Sequence, residues 1–181
     1  MLDLHGNFGR LNVRASGSFS DLMSLEQVDI DMQADGPDLG RLLGLFGIYQ
    51  VRNAPFHLDI DAARNGGNLV IKEAEILFGD ATFDLAATMP NFPTFDDSRI
   101  SLNIKGPDLE GLSNLTGLPV IAGGAFGLNA DVARSPDGAN RLRADLTTSL
   151  GVVEAQGTIA RTPGHIGSQL DVKVTGDDLS R

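Results

Sequence analysis

The sequence predicts a mainly β fold with short helices, built from a repeated unit of one helix plus about four antiparallel strands. Two observations carry that expectation. The first is a motif that returns at a fixed spacing: Gly36-Pro37-Asp38-Leu39 recurs as Gly106-Pro107-Asp108-Leu109, 70 residues later. After a further 70 residues the chain reads Gly176-Asp177-Asp178-Leu179. The second is strict alternation of apolar and polar residues over most of the remaining chain. Self-similarity at one period marks a stacked supersecondary unit, which usually presents an extended surface rather than a single catalytic pocket.

The helix of each unit is legible in the twelve-residue stretches Gly36 to Gly47 and Gly106 to Gly117, which agree at seven positions. Asp38 and Asp108 stand where a carboxylate accepts bonds from the first free N–H groups of a helix. Leu39, Leu42 and Phe46, and likewise Leu109, Leu112 and Leu115, recur at helical spacing. Gly47 and Gly117 stand where a helix ends in a left-handed residue.

After each helix the period changes to two. Phe56, Leu58, Ile60 and Ala62 alternate with His57, Asp59 and Asp61. Next come Leu69 to Phe78, then Ala81, Phe83, Leu85 and Ala87, then Ile100, Leu102 and Ile104. The second unit echoes them. Phe126, Leu128, Ala130 and Val132 form one face, followed by Leu142, Ala144, Leu146 and Leu150. Val153, Ala155 and Ile159 precede Leu170, Val172 and Val174. Such alternation marks strands with one apolar and one solvated face. Asn65-Gly66-Gly67, Ser135-Pro136-Asp137-Gly138 and Thr162-Pro163-Gly164 read as hairpin turns.

Residues 1–35 resemble the back half of another unit, with Leu11, Val13 and Ala15, then Val28, Ile30, Met32 and Ala34, alternating in the same way. The expected organisation is a partial repeat over 1–35, one unit over 36–105, a second over 106–175 and the start of a third at 176–181. Together they form one continuous structural domain, a fragment of a longer array.

Composition narrows the function. The net charge is −10, from 24 acidic and 14 scattered basic residues. Nucleic-acid binding needs clustered Lys and Arg, so no nucleic-acid partner is expected. Asp29, Asp31, Asp59, Asp61, Asp84, Asp131 and Asp171 take outward strand positions, as expected of a solvated sheet face that discourages edge pairing. The pairs Asp29/Asp31 and Asp59/Asp61 lack the glycine-bearing loop that wraps calcium, so no metal is expected. There is no cysteine, hence no disulfide or thiolate chemistry. No apolar run of 18 residues is present, and no secretory signal is visible at the start.

The chemistry of an enzyme is missing. His5, His57 and His165 are isolated from one another, and none belongs to a metal or nucleophile motif. No Gly-x-Ser-x-Gly or phosphate-binding glycine loop occurs. Asn114-Leu115-Thr116 is a formal glycosylation sequon inside the expected helix. No catalytic residue and no cofactor is expected, and the chain reads as a non-enzyme.

Geometry leaves apolar surface unaccounted for. About eleven strands and two complete helices are expected. A helix is about 10–12 Å across and strands lie about 4.8 Å apart, so two helices cover about four strands. The sheet must close into a barrel or sandwich, or remain an open, curved one-sided trough for an apolar ligand. A unit able to continue at both ends favours the trough.

The units read Gly-Pro-Asp-Leu-x-x-Leu-x-x-Leu-x-Gly, then Pro-Phe-x-Leu, a basic turn, and Gly-x-x-x-Phe-x-Leu. Here these are Gly36 to Gly47, Pro55-Phe56-His57-Leu58, Arg64 to Gly67 and Gly79 to Leu85. This pattern, across nearly the whole chain, resembles the AsmA family of Gram-negative envelope proteins. The resemblance implies a repeating β-groove that works in bridge-like phospholipid transport between inner and outer membranes and in outer-membrane homeostasis. It implies a periplasmic location, with the parent protein anchored in the inner membrane by an N-terminal helix outside this chain. The third unit departs from the pattern, with Asp177 in place of proline.

On that reading the partner is a phospholipid or other acyl lipid. The expected lining is Phe56, Leu58, Ile60, Phe83, Leu85, Ile100, Leu102, Ile104, Phe126, Leu128, Leu142, Leu146, Leu170 and Val172. Two alternatives stand beside it. One is a non-catalytic scaffold or assembly module for outer-membrane biogenesis that works through its sheet edges. The other is plain core packing of the same residues.

Overall fold

The computed structural model describes residues 2–19, 27–40, 54–116, 123–135, 138–160 and 167–176. Eleven strands and one helix follow in chain order. They are β1 (Leu2–Phe8), β2 (Leu11–Phe19), β3 (Gln27–Gly36), β4 (Phe56–Asn65), β5 (Asn68–Phe78), β6 (Ala81–Met89) and β7 (Arg99–Gly106). The helix α1 (Leu109–Thr116) precedes β8 (Phe126–Arg134), β9 (Asn140–Thr148), β10 (Gly151–Ile159) and β11 (Gln169–Gly176).

All eleven strands belong to one sheet in sequence order, and each pairs antiparallel with its neighbour in the chain. Strands β1 and β11 are its two edges. The sheet is therefore neither a closed barrel nor a sandwich, because closure requires the edges to meet or a second sheet to pack on the first. The expected curvature is also absent: the sheet is open and uncurled.

The repeated helix-plus-strand unit is corrected too. Among the described residues the only helix is α1, apart from two helical residues at Leu39 and Gly40. Among the described residues the fold is a strand meander with almost no helix, because period-two sequence dominates them. Several sequence expectations lie outside the described residues: the helix body at 41–47, Gly117, Pro136-Asp137, Thr162 to Gly164, His165, and Asp177 to Leu179. Leu150 is corrected from strand to turn. It lies between β9 and β10 with 68% of its surface exposed.

The start of α1 is built as its sequence predicts. Asp108 Oδ2 accepts from Gly111 N at 3.0 Å, and Oδ1 accepts from Glu110 N at 3.2 Å. Oδ1 also accepts from Gly124 N at 3.3 Å, so one carboxylate ties the helix to the approach to β8. Replacing Asp108 with Ala should cost about 1–2 kcal/mol of stability. Asn should recover most of it, and chemical denaturation of the three proteins checks both. Equal stability of the Ala variant and the parent would remove the cap.

Two clusters of buried side chains lie at the helix end of the sheet, while Ala74, Ala87 and Met89 are buried outside them. Ala34, Ala54, Phe56 and Phe78 form one, with Leu39 packed on it. Ala81, Ile104, Leu112 and Phe126 form the other, with Leu109 packed on it. The two corners share contacts at the 70-residue offset. Leu39 N donates to Ala54 O at 3.1 Å, and Leu109 N donates to Gly124 O at 2.9 Å. The Phe56 ring lies on Gly36 and the Phe126 ring on Gly106. A Cβ there would meet ring carbons at 3.0 and 2.8 Å.

Candidate functional site

The register sorts side chains into two opposite faces. One face is a lattice of polar pairs. Asn12 Nδ2 donates to Asp35 at 2.8 Å, Gln33 Nε2 to Asp59 at 2.9 Å, and Ser101 Oγ to Asp131 at 2.6 Å. Each of these joins residues directly opposite one another on adjacent strands, and such cross-strand pairs fix register. The seven outward aspartates all lie on this face. His57 does too, half-buried between Asp35 and Leu77 in register.

Strand β5 carries a bulge between Ile71 and Ala74, which lets both residues occupy the apolar face. It also sends Lys72 to the polar face, where Nζ lies 2.8 Å from Asp61 and 3.4 Å from Asp29. The hydrogen bond to Asp61, supported by the charges of Asp29 and Asp61, raises the Lys72 pKa.

At the far end of the sheet Lys173 Nζ lies 2.9 Å from Glu154 Oε2. The hydrogen bond from Lys173 and its charge hold the Glu154 carboxyl below the ordinary 4.5. A depressed carboxyl stabilises the fold above its unfolded-state pKa, and that contribution fades as pH falls through the folded value. A carbon-detected NMR titration should therefore place Glu154 below 4.5. A midpoint at or above that value would mean the pair does not form in solution.

The other face is apolar without interruption. Its middle row reads Leu4, Ala15, Met32, Ile60, Ala74, Leu85, Leu102, Ala130, Ala144, Ala155 and Val172, one residue from each strand. The row on the helix side runs from Val13 through Leu58, Phe83 and Leu128 to Val174, and the row on the other side runs from Gly17 through Ile71 and Val132 to Leu170. Every position in the three rows is apolar or glycine. They form a band roughly 48 Å long across the strands and roughly 14 Å wide along them, from the strand spacing and rise per residue.

The structure places all fourteen sequence-predicted lining residues on this face. Their environments differ. Phe56, Ile104 and Phe126 are buried in the two corner clusters, closed over by the helix-end chain. Leu58, Phe83, Leu102, Leu128 and Leu146 pack against those clusters and keep part of their surface. Ile60, Leu85, Ile100 and Leu142 belong to neither cluster and are only half-buried. Leu170 and Val172 are exposed, at 49% and 60%. No described side chain reaches below 2% exposure, so the face is not the inside of a closed core.

Sequence reasoning left out Met32, Ile30, Ile71, Ile76, Val132, Val153 and Val174, which continue the same rows. Alternation marked most of them, but only register on neighbouring strands shows that the rows are continuous. On the side away from α1, Arg64 and Arg134 are charged residues in the next row, where Arg64 lies between Val28 and Leu69 in register. Arg64 lies over the Phe92 ring at 5.7 Å, and Arg134 pairs with Asp96 at 3.1 Å.

Comparisons with known protein families, with curated proteins and with solved structures return no match to this chain. Among the described residues no helix is long and apolar enough to cross a membrane.

Proposed function

We propose that the apolar face holds the acyl chains of a phospholipid or similar lipid, as a segment of an AsmA-like periplasmic lipid-transport protein. One observation carries the reading: three rows of apolar residues and glycine cross all eleven strands unbroken, and most of the described residues in them keep part of their surface accessible. Monomeric proteins rarely expose a contiguous apolar patch beyond a few hundred Å² without using it. The band is far longer across the strands than along them, so an extended chain lies perpendicular to the strands. A tail spanning one leaflet is about 15 Å long, half the thickness of a bilayer core, so the band accommodates more than one tail end to end.

Each buried methylene contributes about 0.8 kcal/mol, so a tail lying on the band, shielded along one side, loses part of the cost of moving through water. The head group stays in solvent at the open side, and no deep polar pocket is needed. Ile60, Leu85, Ile100, Leu102, Leu142, Leu170 and Val172 supply the contact surface, and Phe56, Ile104 and Phe126, covered by the helix-end chain, border it on one side. The contacts shared by the two corners at the 70-residue offset support the spacing of the Gly-Pro-Asp-Leu motif, though not a helix-plus-strand unit around it. Anchoring of the parent in the inner membrane belongs to the same proposal.

The test is native mass spectrometry of the purified chain, with extraction and identification of bound lipid. Near-stoichiometric phospholipid is the expected result. Lipid-free protein that also fails to take up phospholipid from vesicles overturns the reading. A scaffold role in outer-membrane biogenesis has one observation in its favour, the two open sheet edges. It predicts that edge substitutions matter more than substitutions in the band.

A further inference from the structure

We propose that two copies of this chain join edge to edge through β11, by a twofold axis through Val172, into one continuous antiparallel sheet of 22 strands. Three of the large apolar side chains exposed among the described residues lie on this strand: Leu170, Val172 and Val174, at 49%, 60% and 53%. Strand β11 pairs with β10 on one side, and among the described residues no strand pairs with its other edge. Among residues 169–176 there is no proline or bulge, and the two charges, Asp171 and Lys173, lie on the polar face, where they guard the edge against any pairing that does not match them.

Direction and face choose the second copy's edge. Strands alternate in direction and eleven is odd, so β1 and β11 run the same way. Joining β11 to β1 of another copy with both apolar faces on one side gives a parallel pair, unlike every ladder in this sheet. A twofold axis perpendicular to the sheet pairs β11 with β11, antiparallel, and keeps both apolar faces on one side. The equivalent union of two β1 strands is less suited, because Gly6 interrupts its apolar side and Asp3 is held by His5 of its own strand at 2.9 Å.

Charge chooses the register. With the axis at Val172, Leu170 faces Val174 of the second copy on the apolar side. On the polar side Asp171 faces Lys173, twice. Lys173 then lies between Glu154 of its own sheet and Asp171 of the other copy, completing the ladder that begins with its 2.9 Å contact. Sliding the pairing one step either way sets Asp171 opposite Asp171, or Lys173 opposite Lys173. Only one register combines full overlap of the strands with opposite charges, and like charges directly opposite are destabilising. The inference stands on the edge alone and does not require the face to bind lipid.

The experiment is sedimentation velocity of the whole chain from low to high micromolar concentration, with charge variants. The parent protein should show a concentration-dependent dimer. Asp171→Lys sets Lys against Lys across the axis, and Lys173→Asp sets Asp against Asp. Each variant alone should dimerise at least about tenfold more weakly. Mixed in equal amounts, the two variants present opposite charges again and should form a heterodimer near parental strength.

Because the chain has no cysteine, register can be read directly. Val172→Cys should form a disulfide-linked dimer on mild oxidation, since directly opposed Cα atoms lie within bonding range. Leu170→Cys and Val174→Cys should each fail alone and cross-link when mixed. Circular dichroism matching the parent shows that each variant is folded. A parent protein that stays monomeric at the highest concentration overturns the proposal. So do charge variants that dimerise like the parent, or cross-linking equally efficient at all three positions.

Discussion

Replacing Phe78 with Ala is expected to lower the unfolding free energy by about 3–5 kcal/mol. Phe78 is the most buried of the core residues, at 2% exposure, and packs with Ala34, Ala54 and Phe56. Two of those three partners are alanines with no side-chain reach to refill the space, so the cavity persists. Against a typical total of about 5–15 kcal/mol, the loss is a large share of the whole. Urea unfolding measures it. Leu150→Ala is the control: that side chain is 68% exposed in the turn after β9, and its loss should change stability by no more than about 0.5 kcal/mol. Similar small effects at both positions would mean that the corner cluster does not hold the sheet.

Replacing Leu85 with Asp is expected to abolish lipid retention while leaving the sheet folded. Leu85 sits in the middle row between Ala74 and Leu102, outside both corner clusters. A carboxylate there must remain hydrated, so it interrupts the band where an acyl chain would cross it. The expected loss of bound phospholipid is at least about tenfold, read by native mass spectrometry, with the far-ultraviolet spectrum unchanged. Asp84→Asn, one residue away on the opposite face, should retain lipid at the parental level. Retention by the Leu85 variant equal to that of the Asp84 variant would assign the band to packing rather than binding.

Both experiments depend on a property that was legible in the residues themselves. Period-two alternation in Phe56 to Ala62, Ile100 to Ile104 and Phe126 to Val132 marks strands and also which of their faces is apolar. The cap at Asp108 was equally local, since a carboxylate before a leucine-spaced helix has one obvious set of donors. Closure and curvature were not legible. Whether an eleven-strand sheet rolls up depends on twist and on the meeting of its edges, neither of which alternation encodes. The continuity of the band was hidden as well. In β5 the apolar positions pass from Ile71 to Ala74, a break in period that only a bulge reconciles with neighbouring strands. Leu150 shows the converse. It keeps the apolar period past the end of β9 but belongs to the turn that follows.

The order of strands along the sheet sets how the molecule comes apart. Every strand is held by the strands next to it in the chain, and nothing joins β1 to β11. Such a sheet behaves as a zipper: an interior strand has two neighbours to leave, an edge strand has one. In the monomer, opening therefore costs least at the rims, and protection of backbone amides against solvent exchange should be highest near β5 to β7 and decline toward both sides. An apolar passenger on the central strands rests on the most persistent part of the molecule. One near the rims rests on a surface that forms and dissolves with each fluctuation of the edge.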